Sequence, residues 1–369
     1  MTLATLAEIT PILEKVYEGK RLTFEDGVAL LKSPHLLEIG AAADYVRRKL
    51  HPDNTVTFII DRNINYTNVC VAQCSFCAFK RNVGDPEGYV LPWEVIDAKC
   101  QELKEQGGTQ VLLQGGLNPA LKLDYYQKLI DRIQSKWGLT VHGFSPAEIW
   151  YLAKISRLSV RDTLLALKEA GLRSIPGGGG EILDDRVRSI IGKGKVLTDQ
   201  WFEVMETAQE LGMNTTATMM YGHIETLEER VMTLIRIRES ADKYHGYSAF
   251  IHWDFQPENT ALGEEMARHP DKYHLGTGLE YLKLLAVARL ILDNIPNLQV
   301  SWVTQGPKLA QVALHFGAND FGGTMMEENV VSAAGTTYRV TPPEAVRLIR
   351  DAGFTPAKRD TFYNILERY

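Results

Sequence analysis

Short β-rich runs alternate with segments of helical period about eight times along this chain, and no other feature restricts the fold as much. The runs at 55–60, 110–113, 140–144, 173–175, 215–220, 249–255, 299–303 and 319–321 are predicted as strands. Helices are predicted over 92–107, 123–136, 146–153, 160–170, 199–211, 227–241, 279–294, 307–316 and 343–352. Repeated strand–helix units imply a parallel sheet buried on both faces. About eight of them in roughly 300 residues suit a closed barrel better than an open sheet. A doubly wound sheet would often show a phosphate-binding glycine fingerprint after its first strand; here the first strand is followed by cysteines. The expected fold class is α/β, a (β/α)8 TIM-type barrel.

Residues 1–50 read differently, as short helices at 12–16, 24–31 and 37–50, with Thr23 placed to cap the second. The turn cluster His51-Pro52-Asp53-Asn54 closes this region. The expected division is an N-terminal helical extension over 1–50 and a barrel with a C-terminal cap over 51–369. With 369 residues, 45% of them hydrophobic, the chain can bury one large core. Forty basic against forty-six acidic residues leave a net charge of −6, so no nucleic-acid partner is expected. The most apolar stretch, 281–295, is interrupted by Lys283, Arg289 and Asp293 and is too short to span a bilayer. The first ten residues lack both a basic and an apolar leader region. A cytoplasmic protein without a membrane partner is expected.

Four cysteines are too few for a disulfide scaffold, yet three of them, Cys70, Cys74 and Cys77, fall in one loop after the first strand. Thiolate is the soft ligand that iron in a cubane cluster prefers, and a Cys-x3-Cys-x2-Cys loop can bind three of its irons. The fourth cysteine, Cys100, lies on the apolar stripe of helix 92–107 with Ile96 and Leu103, where a packed, inert thiol is expected. The nearest histidines in sequence are His51 and His142. The loop therefore reads as a cluster site with one iron left open, against a zinc site that borrows a distant ligand or three unligated surface thiols.

With Phe76 before its last cysteine, this loop resembles the signature of radical S-adenosylmethionine (SAM) enzymes. The resemblance implies a [4Fe-4S] cluster on Cys70, Cys74 and Cys77, and SAM chelated to the open iron with Phe76 beside it. It also implies one-electron cleavage of SAM to a hydrogen-abstracting 5′-deoxyadenosyl radical, and hence a reducing donor such as flavodoxin or ferredoxin. In such enzymes the cluster loop follows the first strand of a (β/α) barrel.

Other motifs fall after predicted strands, where a barrel builds its pocket. Gln114-Gly115-Gly116 follows the second strand, and its glycines permit close backbone approach. By resemblance it corresponds to the family's "GGE" element that binds the methionyl amino group, although Leu117 stands where an acid is common. Pro176-Gly177-Gly178-Gly179-Gly180-Glu181 fits neither a Walker A loop nor a dinucleotide fingerprint. At a barrel mouth Gly178 and its neighbours could admit a nucleoside while Glu181 binds its hydroxyls; Glu181 could equally cap a helix. His223 reads as an acid, a base or a carboxylate partner, or as a structural histidine. Arg81 is a second candidate for a substrate carboxylate. Met325-Met326-Glu327-Glu328-Asn329 and His252–Gln256 read as pocket clusters or as solvated loops.

Beyond the loop, the runs 61–68, 174–183, 218–226, 302–306, 316–320 and 327–335 resemble the family's futalosine-cyclising enzymes of menaquinone biosynthesis. Aminofutalosine synthases and deazaflavin-chromophore synthase subunits share the cysteine loop and the glycine run. Gly180 stands where alanine is expected for the family. The resemblance implies a small nucleoside-derived substrate, dehypoxanthine futalosine. Hydrogen is abstracted from C4′ of its ribose, the carbon radical closes onto the benzoate ring, and loss of a proton and of an electron, for which the cluster is the acceptor at hand, restores aromaticity. Glu181, His223 and Glu328 are the candidates for that proton.

Overall fold

A computed structural model describes residues 6–369; the first five, part of the expected extension and of the stretch expected to lack a leader, lie outside it. In chain order its strands are β1 (Thr55–Ile59), β2 (Asp61–Ile64), β3 (Gln73–Cys74), β4 (Gln110–Leu113), β5 (Thr140–Gly143) and β6 (Ser174–Ile175). There follow β7 (Gly192–Lys193), β8 (Asn214–Tyr221), β9 (Tyr247–Asp254), β10 (Asn297–Gln299), β11 (Asp320–Gly323), β12 (Thr355–Arg359) and β13 (Ile365–Arg368). The main sheet runs β13-β12-β1-β11-β10-β9-β8-β6-β5-β4-β2. Only Ile60 separates β1 from β2, so one bent strand borders β11 with its first half and β4 with its second. That shared strand closes the ring, and every pair from β4 round to β11 is parallel. The barrel is the expected α/β fold.

Strands such as β1 and β8 form because their residues are mostly apolar or β-branched and covered on both sides. All five residues of β1 are buried, and in β8 only Asn214 is not. The outer helices begin at side-chain caps that the sequence supplies. Ser145, Ser159, Thr226 and Thr277 each accept the backbone N–H three residues on, a contact contributing about 1 kcal/mol.

The helices Leu6–Tyr17, Phe24–Lys32 and Leu36–Leu50 pack together, the last two against the barrel helices Leu227–Tyr244 and Gly278–Ile291. At the other end of the chain, β12 pairs parallel with β1 on the flank that β4 leaves free, and β13 turns back antiparallel. This brings Arg359 into the barrel where the strands begin. Its Nε donates to Asp320 Oδ2 at 2.6 Å, and its guanidinium lies 3.9 Å from the Tyr363 ring centre. Arg289 seals the same end, donating to Gly317 O (2.8 Å) and Asn319 Oδ1 (2.8 Å). Among the described residues, no helix is long and apolar enough to cross a membrane.

Two expected elements shift. The run 299–303 is not a strand through its length: β10 stops at Gln299, and Trp302 and Val303 enter the helix Trp302–Ala313. Gly306, at φ 77°, breaks that helix just before Pro307, which is where the sequence places the helix start. The helices Asp185–Ile191 and Ala261–Arg268 and the strands β2, β3, β7, β12 and β13 are additional to the expected set.

Candidate active site

The cysteine loop leaves β2 and is pinned by backbone contacts to three distant segments. Cys74 lies opposite Gly192 in the β3–β7 pair. Ser75 N–H donates to Ile191 O (2.8 Å), and Ser75 O accepts the Leu262 N–H (2.9 Å). Val71 N–H donates to Leu117 O (3.1 Å). The loop closes on itself through Arg81, whose carbonyl accepts the Cys70 N–H and whose N–H donates to Asn68 O. The Arg81 guanidinium faces the loop's own carbonyls at Ala78, Phe79 and Lys80 and pairs with Glu87 at 2.6 Å. Arg81 thus holds the loop's shape, and the expectation that it meets a substrate carboxylate gives way to that role.

Cys70, Cys74 and Cys77 are free thiols. Burial pushes the Cys74 thiol up to about 12, against the pull of the nearby Lys195 charge, and raises Cys70 as well. Leu117 N–H points at Cys70 Sγ at 3.3 Å, the kind of donor that stabilises a thiolate ligand. Among the described residues, no three His, Cys, Asp or Glu side chains converge on a single-ion site. A cubane asks instead for three thiolates on three separate irons, and this donor set fits one with an iron left free. Cys100 is fully buried in the helix Trp93–Glu105, apart from this loop, and burial raises its thiol to about 12.

Facing the loop is the turn after β4. A Cβ on Gly116 would lie 2.2 Å from Val69 O, and one on Gly115 would lie 2.6 Å from the Tyr66 ring, so only glycine lets the loop sit this close. The N–H groups of the turn are spent on the protein. Gln114 donates to Ile64 O, Gly115 to Glu148 Oε1, Gly116 to Thr67 O and Leu117 to Cys70. Asn65 Nδ2 takes Gln114 O at 3.2 Å. The carbonyls of Gly115 and Gly116 accept no hydrogen bond from the described residues. A site that offers only acceptors suits a cationic donor such as an ammonium group.

The glycine run after β6 packs on the same turn, since a Cβ on Gly178 would meet Gln114 Nε2 at 2.4 Å. Arg188, buried, gathers this run by donating to the carbonyls of Gly179 (2.9 Å), Gly180 (2.7 Å) and Val196 (2.7 Å). Glu181 is buried, at the uncommon φ of 33°, and its Oε1 pairs with Lys195 Nζ at 2.8 Å. The Lys195 ammonium lies 5.2 Å from the Phe76 ring centre. Phe76, Gln114, Gly115, Gly116, Gly178 and Glu181 are thereby linked, through Lys195 and the loop, to the cysteines. Sequence reasoning missed Arg188 and Lys195. The only signal for either was its position in a basic stretch after the glycine run.

His223 is placed otherwise. Its ring is fully enclosed, with Nε2 on Met220 O (3.0 Å) and Nδ1 on Ile224 N (2.8 Å) and Glu225 Oε2 (2.9 Å). Burial opposes ionisation of Glu225, but His223 and Arg230 together hold its carboxyl well below the usual range. Acid–base work requires an open nitrogen, and His223 has none; it braces the turn after β8. Glu328, in the loop after β11, is half-buried and accepts the N–H groups of Val330, Val331 and Ser332. Burial raises its pKa. Its neighbour Glu327 is held by Lys99 and by Arg62, which reaches it from β2 at 2.9 Å.

The comparisons with known proteins agree with this geometry. Residues 64–237 match the radical SAM superfamily, and residues 244–368 match the CofH/MqnC C-terminal region. The chain is 46% identical to the cyclic dehypoxanthine futalosine synthase of Halalkalibacterium halodurans, over 98% of this chain and 96% of that protein. It is 41% identical to the aminodeoxyfutalosine synthase of Thermus thermophilus, covering 96% of this chain and 95% of the other. It is also 41% identical to a 5-amino-6-(D-ribitylamino)uracil–L-tyrosine 4-hydroxyphenyl transferase of Methanococcoides burtonii, over 95% and 98%. The fold is similar to that of the crystal structure of methylornithine synthase (PylB), with TM-score 0.74 at 21% identity over 94% of this chain and 97% of that one. These sequence matches run almost end to end through the cysteine loop and the glycine turns. The chain therefore belongs to the radical SAM superfamily and to its CofH/MqnC group, whose cofactors are a [4Fe-4S] cluster and SAM.

Proposed function

We propose that this enzyme cyclises dehypoxanthine futalosine to cyclic dehypoxanthine futalosine on the futalosine route to menaquinone. The observation that carries the proposal is the 46% identity, nearly end to end, to a protein named for that reaction. When bound, the cluster and SAM supply a hydrogen-atom acceptor strong enough to activate a ribose C–H bond. Cys70, Cys74 and Cys77 would hold three irons of the cluster. The free carbonyls of Gly115 and Gly116 would take the amino group of SAM, and Gln114, Gly178 and Phe76 would line its site. Glu181, steadied by Lys195, accepts from the hydroxyls of a ribose.

The substrate's charged benzoate and ribose end fits a mouth lined with hydrogen-bonding groups such as Asn65 and Asn329, which bond to each other at 3.3 Å. We assign the last proton to Glu328. Its half-buried carboxylate has its pKa raised by burial, which favours taking up a proton. A low-potential one-electron carrier, flavodoxin or ferredoxin, serves as reductant, and the reaction takes place in the cytoplasm. Residues 1–50 form a helical extension to a catalytic unit over 51–369, whose C-terminal segment caps the barrel.

The test is product analysis. Anaerobically reconstituted, reduced enzyme is given dehypoxanthine futalosine, the enolpyruvyl substrate of aminodeoxyfutalosine synthase, or the ribitylaminouracil with tyrosine. The expected result is 5′-deoxyadenosine with the first compound only, together with a product lighter by two hydrogens. Cleavage of SAM driven only by one of the other two substrates would overturn the assignment.

A further inference from the structure

The cysteine loop's own cations, Lys80 and Arg81, end in hydrogen bonds at the surface, on Gln73 and Glu87. Charges placed there are screened by water and salt. Lys195 differs from both: it comes from outside the loop, and its side chain is only 16% exposed.

The backbone fixes where this side chain goes. Gly192 lies opposite Cys74 in the β3–β7 pair, and Lys195 N–H returns to Gly192 O at 2.9 Å through a turn with Gly194 at φ 82°. The side chain then passes Gly192, where an added Cβ would lie 3.7 Å from its Cβ, and Gly179, where one would lie 3.2 Å from its Cε. It ends with Nζ 2.8 Å from Glu181 Oε1 and 5.2 Å from the centre of the ring of Phe76, which stands between Cys74 and Cys77 in the chain.

Two buried cations and one carboxylate meet here, and the cations are not equivalent. Arg188 spreads its guanidinium over the carbonyls of Gly179, Gly180 and Val196, with Glu181 Oε2 3.7 Å away. Lys195 pairs with Glu181 alone among the described acids. Burial works against its ammonium, yet Glu181 and then Cys74 raise its pKa, so it stays charged at neutral pH. At the Cys74 thiol, burial acts first and these two charges next, with opposite signs: Lys195 favours a negative sulfur and Glu181 opposes it. A cluster on three thiolates becomes one charge more negative when it takes an electron. A cation held in a low-dielectric interior beside it favours that reduced form.

We propose that Lys195 sets the reduction potential of the cluster: its ammonium, held by Glu181 over the Phe76 ring, raises the potential, and Glu181 attenuates the effect. The step it governs moves one electron from the low-potential carrier to the cluster, oxidising the one and reducing the other, with no bond formed or broken. The inference rests on the reading of the 70–77 loop as a [4Fe-4S] site, and it does not depend on which substrate is cyclised.

The test is a redox titration of the anaerobically reconstituted, cluster-loaded protein without SAM, followed by the EPR signal of the reduced cluster and paired with iron analysis. At the wild-type midpoint, Lys195→Met is expected to lower the ratio of reduced to oxidised cluster about tenfold, a fall of about 59 mV for a one-electron couple. Glu181→Gln is expected to raise that ratio by about the same factor. Lys195→Arg keeps the charge, and Lys193→Met removes an exposed one from the same turn; each should change the ratio less than about twofold. A loaded Lys195→Met protein with the wild-type potential overturns the proposal. So does a shift of Lys195→Met and Glu181→Gln in the same direction, which is what a loosened site would give, or an equal fall in Lys195→Arg or Lys193→Met. Should Lys195→Met fail to load, Glu181→Gln decides: a raised potential supports the proposal, and an unchanged or lower one overturns it. Wild-type protein that takes up no iron would overturn the cluster reading and the proposal with it. Failure of the futalosine reading alone would leave all these potentials unmoved.

Discussion

The two ends of the barrel are both built from buried polar groups, and they are finished in opposite ways. Where the strands begin, two buried arginines have their partners within the protein. Arg359 meets Asp320 at 2.6 Å, and Arg289 spends its guanidinium on Gly317, Asn319 and the carbonyls at 295 and 296. Where the strands end, the chain leaves groups unspent: three free thiols, two glycine carbonyls and a glutamate on a lysine that a ligand could replace. A closed network stabilises; an open one binds. In parallel barrels chemistry gathers at the ends of the strands, and the cysteine loop after β2 and the glycine turns after β4 and β6 lie there.

The contrast can be broken most forcefully at the open end. Cys74→Ala should abolish SAM cleavage, a loss of at least about a thousandfold, and strip most of the iron while the barrel remains folded. Iron analysis and circular dichroism on the same sample check both halves, and a variant that retains full activity would remove the cluster from the chemistry. At the closed end the effect should fall on stability instead. Arg359→Met leaves Asp320, fully buried, without its cation, and should cost about 3–5 kcal/mol in urea unfolding. The cleavage rate per folded molecule should stay near wild type; a selective loss of activity would mean that the two ends are not separate.

The wall between them supplies the smallest and most graded effect. His252 in β9 is fully buried against the helix Gly278–Ile291, stacked on Tyr281 at 4.5 Å with Nε2 on the Tyr281 carbonyl. Burial lowers its pKa to about 4, against about 6.5 in the unfolded chain. The unfolded state therefore binds a proton that the native state refuses, and this contribution is present above about pH 6.5 and lost as pH falls toward 4. The stability advantage of wild type over His252→Phe should shrink by about 1.4 kcal/mol per pH unit across that window. A difference that does not change with pH would show that His252 is not neutral in the native state.

How much of this was legible depended on whether a residue's job is local. The cysteine spacing, the glycines of 115–116 and 177–180 and the strand–helix alternation are local patterns, and the sequence displays them directly. The strand β12 reads Thr355-Pro356-Ala357-Lys358-Arg359, with proline and two cations that suggest a turn; it is a strand only because β1 has a free edge beside it. The polar β2 hides in the same way, since its hydrogen-bonding side chains serve the barrel interior and Arg62 serves a loop from the far end of the chain. Lys195 and Arg188 gain meaning only once the chain folds back on the glycine run. His223 shows the reverse: a histidine after a strand invites a chemical role, and only its enclosed surroundings reveal a brace.

The bent strand shared by β1 and β2 also sets a timetable. Its neighbour on one side arrives early, with β4, but its other neighbour is β11, and Asp61 meets Met325 across a separation of 264 residues. As the polypeptide emerges from the ribosome, the cysteine loop is among the first parts of the barrel to appear. The strand that closes the ring, β11, is among the last. The three loop thiols thus precede every segment that holds the loop, at 117, 191–192 and 262, and the ring is completed only when β11 pairs with the strand with which it began.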